Sequence, residues 1–406
     1  MTRTERTYYV VVSLYSGAGW FLGPVYPLFL LSRGLDLLQM NLVLATYLLS
    51  IFLFEVPTGA VADVFGRKVS FMLSCALRTV AFGMYSVADS FTDCLLAEFV
   101  DAIGTTLATG ALDAWAVDGM RAEGHDGPAD RLFARAQMIT RALMVVGGVV
   151  GGYLASYDFS YAWWAGAAGF AVTGILGWQM MYDDRPARSA ARSTASRPSV
   201  RQTIAQGLGI VHAAPVLMLL CGVSFGFVFA GAPAHMLWQP RLQELSGQGV
   251  WLMGWVWALI NLATLLGSWL LPRLLERAPR EYVLLGSTVW RAVCLGFAAA
   301  ATDFGPALTG YLLTEVGFGL TEPMLQAWMN DHVGDEQRAT VLSVRSMFAT
   351  LGGAIGLACI GFIARGYGIP LAWAAAAGVF ALVAPAFLLF GRHSLATSRK
   401  SLQPSA

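Results

Sequence analysis

The sequence predicts an all-α membrane protein, twelve transmembrane helices in two pseudo-symmetric six-helix bundles with both termini cytoplasmic. Three observations predict it. The 406 residues are 56% hydrophobic and only 13% charged, with a mean hydropathy of +0.59, which is too apolar for a water-soluble globule. Twelve apolar runs can be marked along the chain. The two halves also repeat one another at a fixed offset.

A bilayer core of about 30 Å needs roughly 20 apolar residues per helix. In order, the expected spans are 8–31, 38–62, 69–87, 95–120, 136–155 and 161–181, then 216–237, 250–271, 282–301, 306–329, 341–364 and 371–390. The first run follows a short basic stretch but is too long for a cleaved leader, so it is expected to be a retained helix. With a cytoplasmic amino terminus, nineteen basic residues fall in inside loops and three, Arg33, Arg241 and Arg365, in outside loops. That asymmetry satisfies the positive-inside rule and fixes the expected orientation. Residues 183–207 are rich in Arg, Ser and Ala and read as a flexible cytoplasmic linker. It divides a bundle over 1–182 from one over 208–391, and 392–406 form a cytoplasmic tail.

A shift of 213 positions aligns Arg67 with Arg280, Ser74 with Ser287, Arg78 with Arg291, and Gly104 with Gly317. The match continues through Leu112 and Leu325, Trp115 and Trp328, and Asp118 and Asp331. With six spans per copy the halves are parallel repeats, and a ligand is expected between them near mid-membrane.

Between the second and third runs lies a short charged turn carrying Gly59, Asp63, Gly66, Arg67 and Lys68. Its glycines let two helices approach and reverse, and its charges sit at the membrane surface. The spacing Gly-x3-Asp-x2-Gly-Arg-Lys resembles the loop signature of the major facilitator superfamily. The segment from Leu112 to Asp118 is similar to the end of the fourth helix in drug-efflux-like members, the drug:proton antiporters. Two departures stand. Val100 occupies the place of the arginine usual in such antiporters, and the fifth span has Gly147, Gly148, Gly151 and Gly152 without the family's proline. The resemblance implies that Gly59, Asp63, Gly66, Arg67, Lys68 and Asp118 form a gating latch. It also implies that the first, fourth, seventh and tenth helices surround the pathway.

Ionisable groups inside membrane helices are expensive and mark function by default. On the fourth span Glu98, Ala102, Thr105, Thr109 and Asp113 share roughly one helix face. On the tenth, Glu315, Glu322 and Gln326 form a second polar stripe. Glu55 and Arg78 reach similar depths on adjacent antiparallel spans and are expected to pair; Arg291 is expected to take Glu322 or Glu315. Six embedded carboxylates (Glu55, Glu98, Asp101, Asp113, Glu315, Glu322) face four embedded arginines, so pairing leaves acids over. Asp113, Glu315 or Glu322 is the expected proton carrier, with Glu98 and Gln326 as further proton-coupling or substrate-binding candidates. The same groups suit attraction of a cationic ligand equally well. Trp20, Tyr26 and Trp238 are candidate cavity walls, whereas Trp115 and Trp328 read as interfacial anchors. Gly147 with Gly151, and Gly352 with Gly356, offer two small-residue faces for close helix packing.

These readings converge on a secondary active transporter of the cell membrane working by alternating access, with proton-coupled export of small hydrophobic or cationic compounds as the expected activity. Proton-coupled uptake of a metabolite is the alternative within transport, and a non-transporting receptor the alternative outside it. The expected partners are a small-molecule substrate, protons and the lipid bilayer, with the chain acting as a monomer. A net charge of +1 with scattered basic residues gives no footprint for nucleic acid. Five isolated cysteines give no metal or disulfide pattern, no nucleotide loop points to a pump, and no span carries the clustered His and acidic residues of a metal-dependent enzyme. No metal or cofactor is expected.

Overall fold

The computed structural model describes residues 1–124, 129–182, 209, 211–212, 214–331 and 338–388. The expected linker, 183–207, and tail, 392–406, fall outside them. Among the described residues the chain is helical, without strands, and nine helical segments are long and apolar enough to cross a bilayer. It divides into two compact units, one comprising Met1–Arg197 with Gln248–Ala258, the other Pro198–Gly247 with Leu259–Ala406.

The first unit holds α1 (Arg3–Trp20), α2 (Tyr26–Ser32), α3 (Leu37–Phe65), α4 (Arg67–Ser86), α5 (Phe91–Ala108), α6 (Ala111–Ala122), α7 (Asp130–Tyr157) and α8 (Phe159–Met180). Their starts are written locally. Thr2, Asp36 and Ser90 each accept a backbone N–H from the first turn that follows, while Glu5, Gln39 and Asp93 reach back to the cap. Such reciprocal capping satisfies donors that an α-helix leaves open. Gly66 ends α3 and starts α4 at φ 96°, a conformation that favours glycine and turns the chain within one residue.

Two expected spans are broken. The first splits into α1 and α2 around Phe21–Val25, and the fourth splits into α5 and α6 at Thr109–Gly110, where Gly110 adopts φ 71°. The fourth-span polar face is therefore not one continuous stripe. Glu98 is buried while Thr109 and Asp113 are exposed on either side of the break.

The second unit holds α9 (Pro215–Ser246), most of α10 (Trp251–Leu275), α11 (Arg280–Ala300), α12 (Phe304–Asp331), α13 (Arg338–Tyr367) and α14 (Ile369–Val383). The first two turns of α10 belong to the first unit, where Trp257 donates to the Met144 carbonyl at 3.1 Å. Each unit repeats one packing scheme. In the first, α4 lies against α5 and α8, and α1 against α7; in the second, α11 lies against α12 and α14, and α9 against α13. The small-residue faces make the α1–α7 and α9–α13 contacts close. A methyl group on Gly151 would collide with the Phe21 carbonyl, and one on Gly356 with the Phe229 carbonyl.

Candidate functional site

Each unit carries a largely buried arginine at the contact between the helices that begin at Arg67 and Arg280 and those that follow them. In the first, Gly104 of α5 lets the Arg78 side chain cross, since a methyl group there would lie 2.7 Å from its Cγ. The guanidinium donates from Nε to Asp101 Oδ1 at 2.8 Å and from NH2 to Oδ2 at 3.2 Å. It lies 4.2 Å from the Phe170 ring centre, with Tyr15 and Phe82 beside it. The bidentate grip compensates the charge where water is scarce. This corrects the expected Glu55–Arg78 pair. Glu55 is exposed on α3 and makes no ion pair among the described residues, because matched depth does not settle which helix faces meet. α4 packs mainly on α5 and α8 rather than α3.

One turn before Asp101, Glu98 is only 6% exposed. The Tyr85 hydroxyl donates to its carboxylate, and the Tyr26 hydroxyl lies 3.2 Å from that of Tyr85. Tyr85 in turn stacks on Trp163 with ring centres 4.0 Å apart. Glu98 is thus enclosed by hydroxyls and rings, and it forms no ion pair with a described residue; Arg78 is held by Asp101. Tyr26 belongs to this packed cluster.

In the second unit Arg291 is only 5% exposed and sits among Phe380, Phe227 and Phe318 at 4.2, 5.2 and 5.4 Å. The expected partners are engaged elsewhere, which corrects that pairing as well. Glu322 accepts from Gln326 at 3.1 Å and from Arg345 at 3.5 Å, while Arg345 also donates to Ser224 at 2.9 Å. Glu315 lies 3.5 Å from the Thr264 hydroxyl. Glu322 and Gln326 do share one face of α12, one turn apart.

The aromatic expectations change too. Trp238 has no exposed surface and packs near Tyr311, which stacks on Trp373, so it is core rather than cavity wall. Trp20 lies against Trp257 with ring centres 5.8 Å apart. Trp115 is 1% exposed and stacks on Tyr182; its indole donates to the Tyr182 carbonyl at 3.3 Å, and its own backbone carbonyl accepts from the Tyr182 hydroxyl at 3.0 Å. Trp328 is buried as well, so neither tryptophan is an interfacial anchor.

At the charged turn Arg67 reaches across to α6, donating to the Asp118 carboxylate and the Ala114 carbonyl. Lys68 ties the start of α4 to the end of α8 through the Trp178 and Met181 carbonyls at 2.8 and 2.6 Å. Asp63 is also engaged, and Gly59 is exposed. Asp113 accepts from the Tyr8 hydroxyl at 2.7 Å. The Asp331 side chain lies outside the described residues.

Sequence reasoning missed Asp101 as the partner of Arg78, and Tyr85 as the donor to Glu98. Asp101 shares a helix with Gly104, one turn away, and that glycine marks where Arg78 crosses. Tyr85 carries no such signal, because a tyrosine in an apolar run reads as packing.

The Major Facilitator Superfamily model matches residues 8–289 and, in a second match, 252–405. The uncharacterized MFS-type transporter YxaM of Bacillus subtilis (strain 168) is 23% identical over 350 residues, covering 85% of this chain and 86% of that protein. The multidrug resistance protein MdtH of Photorhabdus laumondii is 30% identical over 124 residues, 30% of this chain and 29% of that one. The crystal structure of the nucleoside transporter NupG superposes with a TM-score of 0.79 at 13% identity, covering 96% of this chain and 99% of that one. The chain belongs to the Major Facilitator Superfamily.

Proposed function

We propose that this chain is a proton-coupled secondary active transporter of the cell membrane, with both termini cytoplasmic, that exports small hydrophobic compounds by alternating access. The observation that carries the reading is Glu98, an enclosed carboxyl group held by the Tyr85 hydroxyl with no cation in ion-pair contact among the described residues. A carboxyl group that no arginine holds ionised is suited to take up a proton from one side and release it to the other. Glu98 therefore leads the proton-carrying candidates, ahead of Glu315. Glu322, bound to Arg345, and Asp113, exposed and bound to Tyr8, are less suited.

The cationic half of the substrate expectation needs a carboxylate free to meet a ligand. Glu98, Asp101 and Glu322 already have hydroxyl or arginine partners, so the geometry favours the hydrophobic class. Export rather than uptake rests on the partial likeness to MdtH, a multidrug resistance protein by name. The Arg67–Asp118 pair, with Gly59, Asp63, Gly66 and Lys68 around it, acts as the latch that holds one state of the cycle.

The test is flux in proteoliposomes carrying an imposed proton gradient, read with a panel of neutral, anionic and cationic aromatic compounds. Gradient-driven movement of some members is expected. Movement only in the direction of proton influx would replace export by uptake, and no flux of any member would favour a receptor.

A further inference from the structure

The two units build the same arginine cage but complete it differently. Around Arg78 the rings of Phe170, Tyr15 and Phe82 are closed by the carboxylate of Asp101. The cage of Arg291 keeps the nearest ring at the same 4.2 Å and the same glycine crossing, since a methyl group on Gly317 would lie 2.5 Å from its Cγ. At the offset of 213, however, Asp101 becomes Thr314, whose hydroxyl is spent on the Gly310 carbonyl at 3.0 Å. Arg291 is left 5% exposed, its Nε without an acceptor, and no described carboxylate lies within ion-pair distance. Glu315 and Glu322 act on it only from a distance.

A buried guanidinium without a counter-charge is costly, and the cost falls when a ligand brings one. One ring of the cage also reaches the surface of the unit. Phe380 and Phe227 are 0% and 8% exposed, whereas Phe318 is 38% exposed and lies on the α12 face that carries Glu315 and Glu322.

We propose that the Arg291 cage of the second unit is a binding site for a small aromatic or aliphatic carboxylate, whose anionic group occupies the place that Asp101 holds in the first unit. A single guanidinium among phenyl rings matches a monoanion with an apolar body; a dianion would leave one charge uncompensated there. The ring faces then cover the ligand's body, and the Nε edge takes its two oxygens. The site deepens the transporter reading by narrowing the hydrophobic substrates to those bearing a carboxylate. Binding is measurable without flux, so either reading can fail alone.

The probe is sodium benzoate, with benzylammonium as the charge-reversed control, added to the purified full chain in detergent at pH 7. Thermal unfolding and titration calorimetry are the readouts. Benzoate is expected to raise the melting temperature of the wild type, and benzylammonium to leave it unchanged. Thr314→Asp, which restores the carboxylate of the first unit, is expected to fold with an equal or higher melting temperature and to weaken benzoate at least about 100-fold, the scale of losing a buried ion pair. Arg291→Gln is expected to abolish the benzoate response and decides the matter should Thr314→Asp fail to fold. Absence of any benzoate effect on the wild type, or an undiminished effect in either folded variant, would overturn the proposal.

Discussion

At the residue scale the protein treats two equivalent arginines in opposite ways, and this gives a stability prediction. Asp101→Asn strips Arg78 of its counter-charge in a site where both side chains are about nine-tenths buried. Breaking a buried pair from one side costs about 3 to 5 kcal/mol, so the variant is expected to show a much lowered melting temperature. Thr314→Val, at the aligned position, removes only a hydroxyl bonded within its own helix and is expected to shift it little. Equal losses at the two positions would mean that Arg78 draws no stability from Asp101. Sequence showed that embedded acids and arginines are numerous and that Arg78 and Arg291 are copies. It did not show which acid meets which arginine, because two groups at equal depth pair only if their helix faces meet. That is why Glu55 was a poor guide and Asp101, across the Gly104 crossing, is the partner.

At the element scale the helices are governed by a few small residues. Gly66 at φ 96° joins α3 and α4, and Gly66→Ala is expected to cost roughly 1 to 3 kcal/mol through backbone strain, loosening the Arg67–Asp118 contact beside it. Spectroscopic distances between labels on α4 and α6 would report that loosening; unchanged distances would separate the turn from the latch. The close contacts give a second prediction. Gly356→Val forces a branched side chain against the Phe229 carbonyl and is expected to destabilise by about 1 to 3 kcal/mol. Gly286→Ala, where nothing lies within 4 Å, is expected to be neutral or mildly stabilising. Both the turn and the glycine faces were legible, since their spacing alone carries the geometry. The interruptions of the first and fourth runs were not. Hydropathy continues through Phe21–Val25 and across Gly110, and only the backbone reveals that the helices stop.

At the scale of the whole molecule, the duplication read from seven matched positions is the organising fact. Both units place a largely buried arginine between the same pair of helices, under an aromatic ring 4.2 Å away. Against that common frame the differences acquire meaning. Glu98 aligns with Tyr311, Asp101 with Thr314 and Gly110 with Pro323, so the first unit keeps the enclosed acids while the second keeps an arginine without one. An asymmetric pair of this kind suits a machine in which one half carries the proton and the other meets the ligand. Proton movement by Glu98 is the central claim, and it is tested most directly by following a pH-sensitive dye inside proteoliposomes while substrate is added outside. Wild-type protein is expected to couple substrate movement to proton movement, and Glu98→Gln to retain substrate exchange while losing the proton signal. A Glu98→Gln variant that still moves protons with substrate at the wild-type rate would contradict the account.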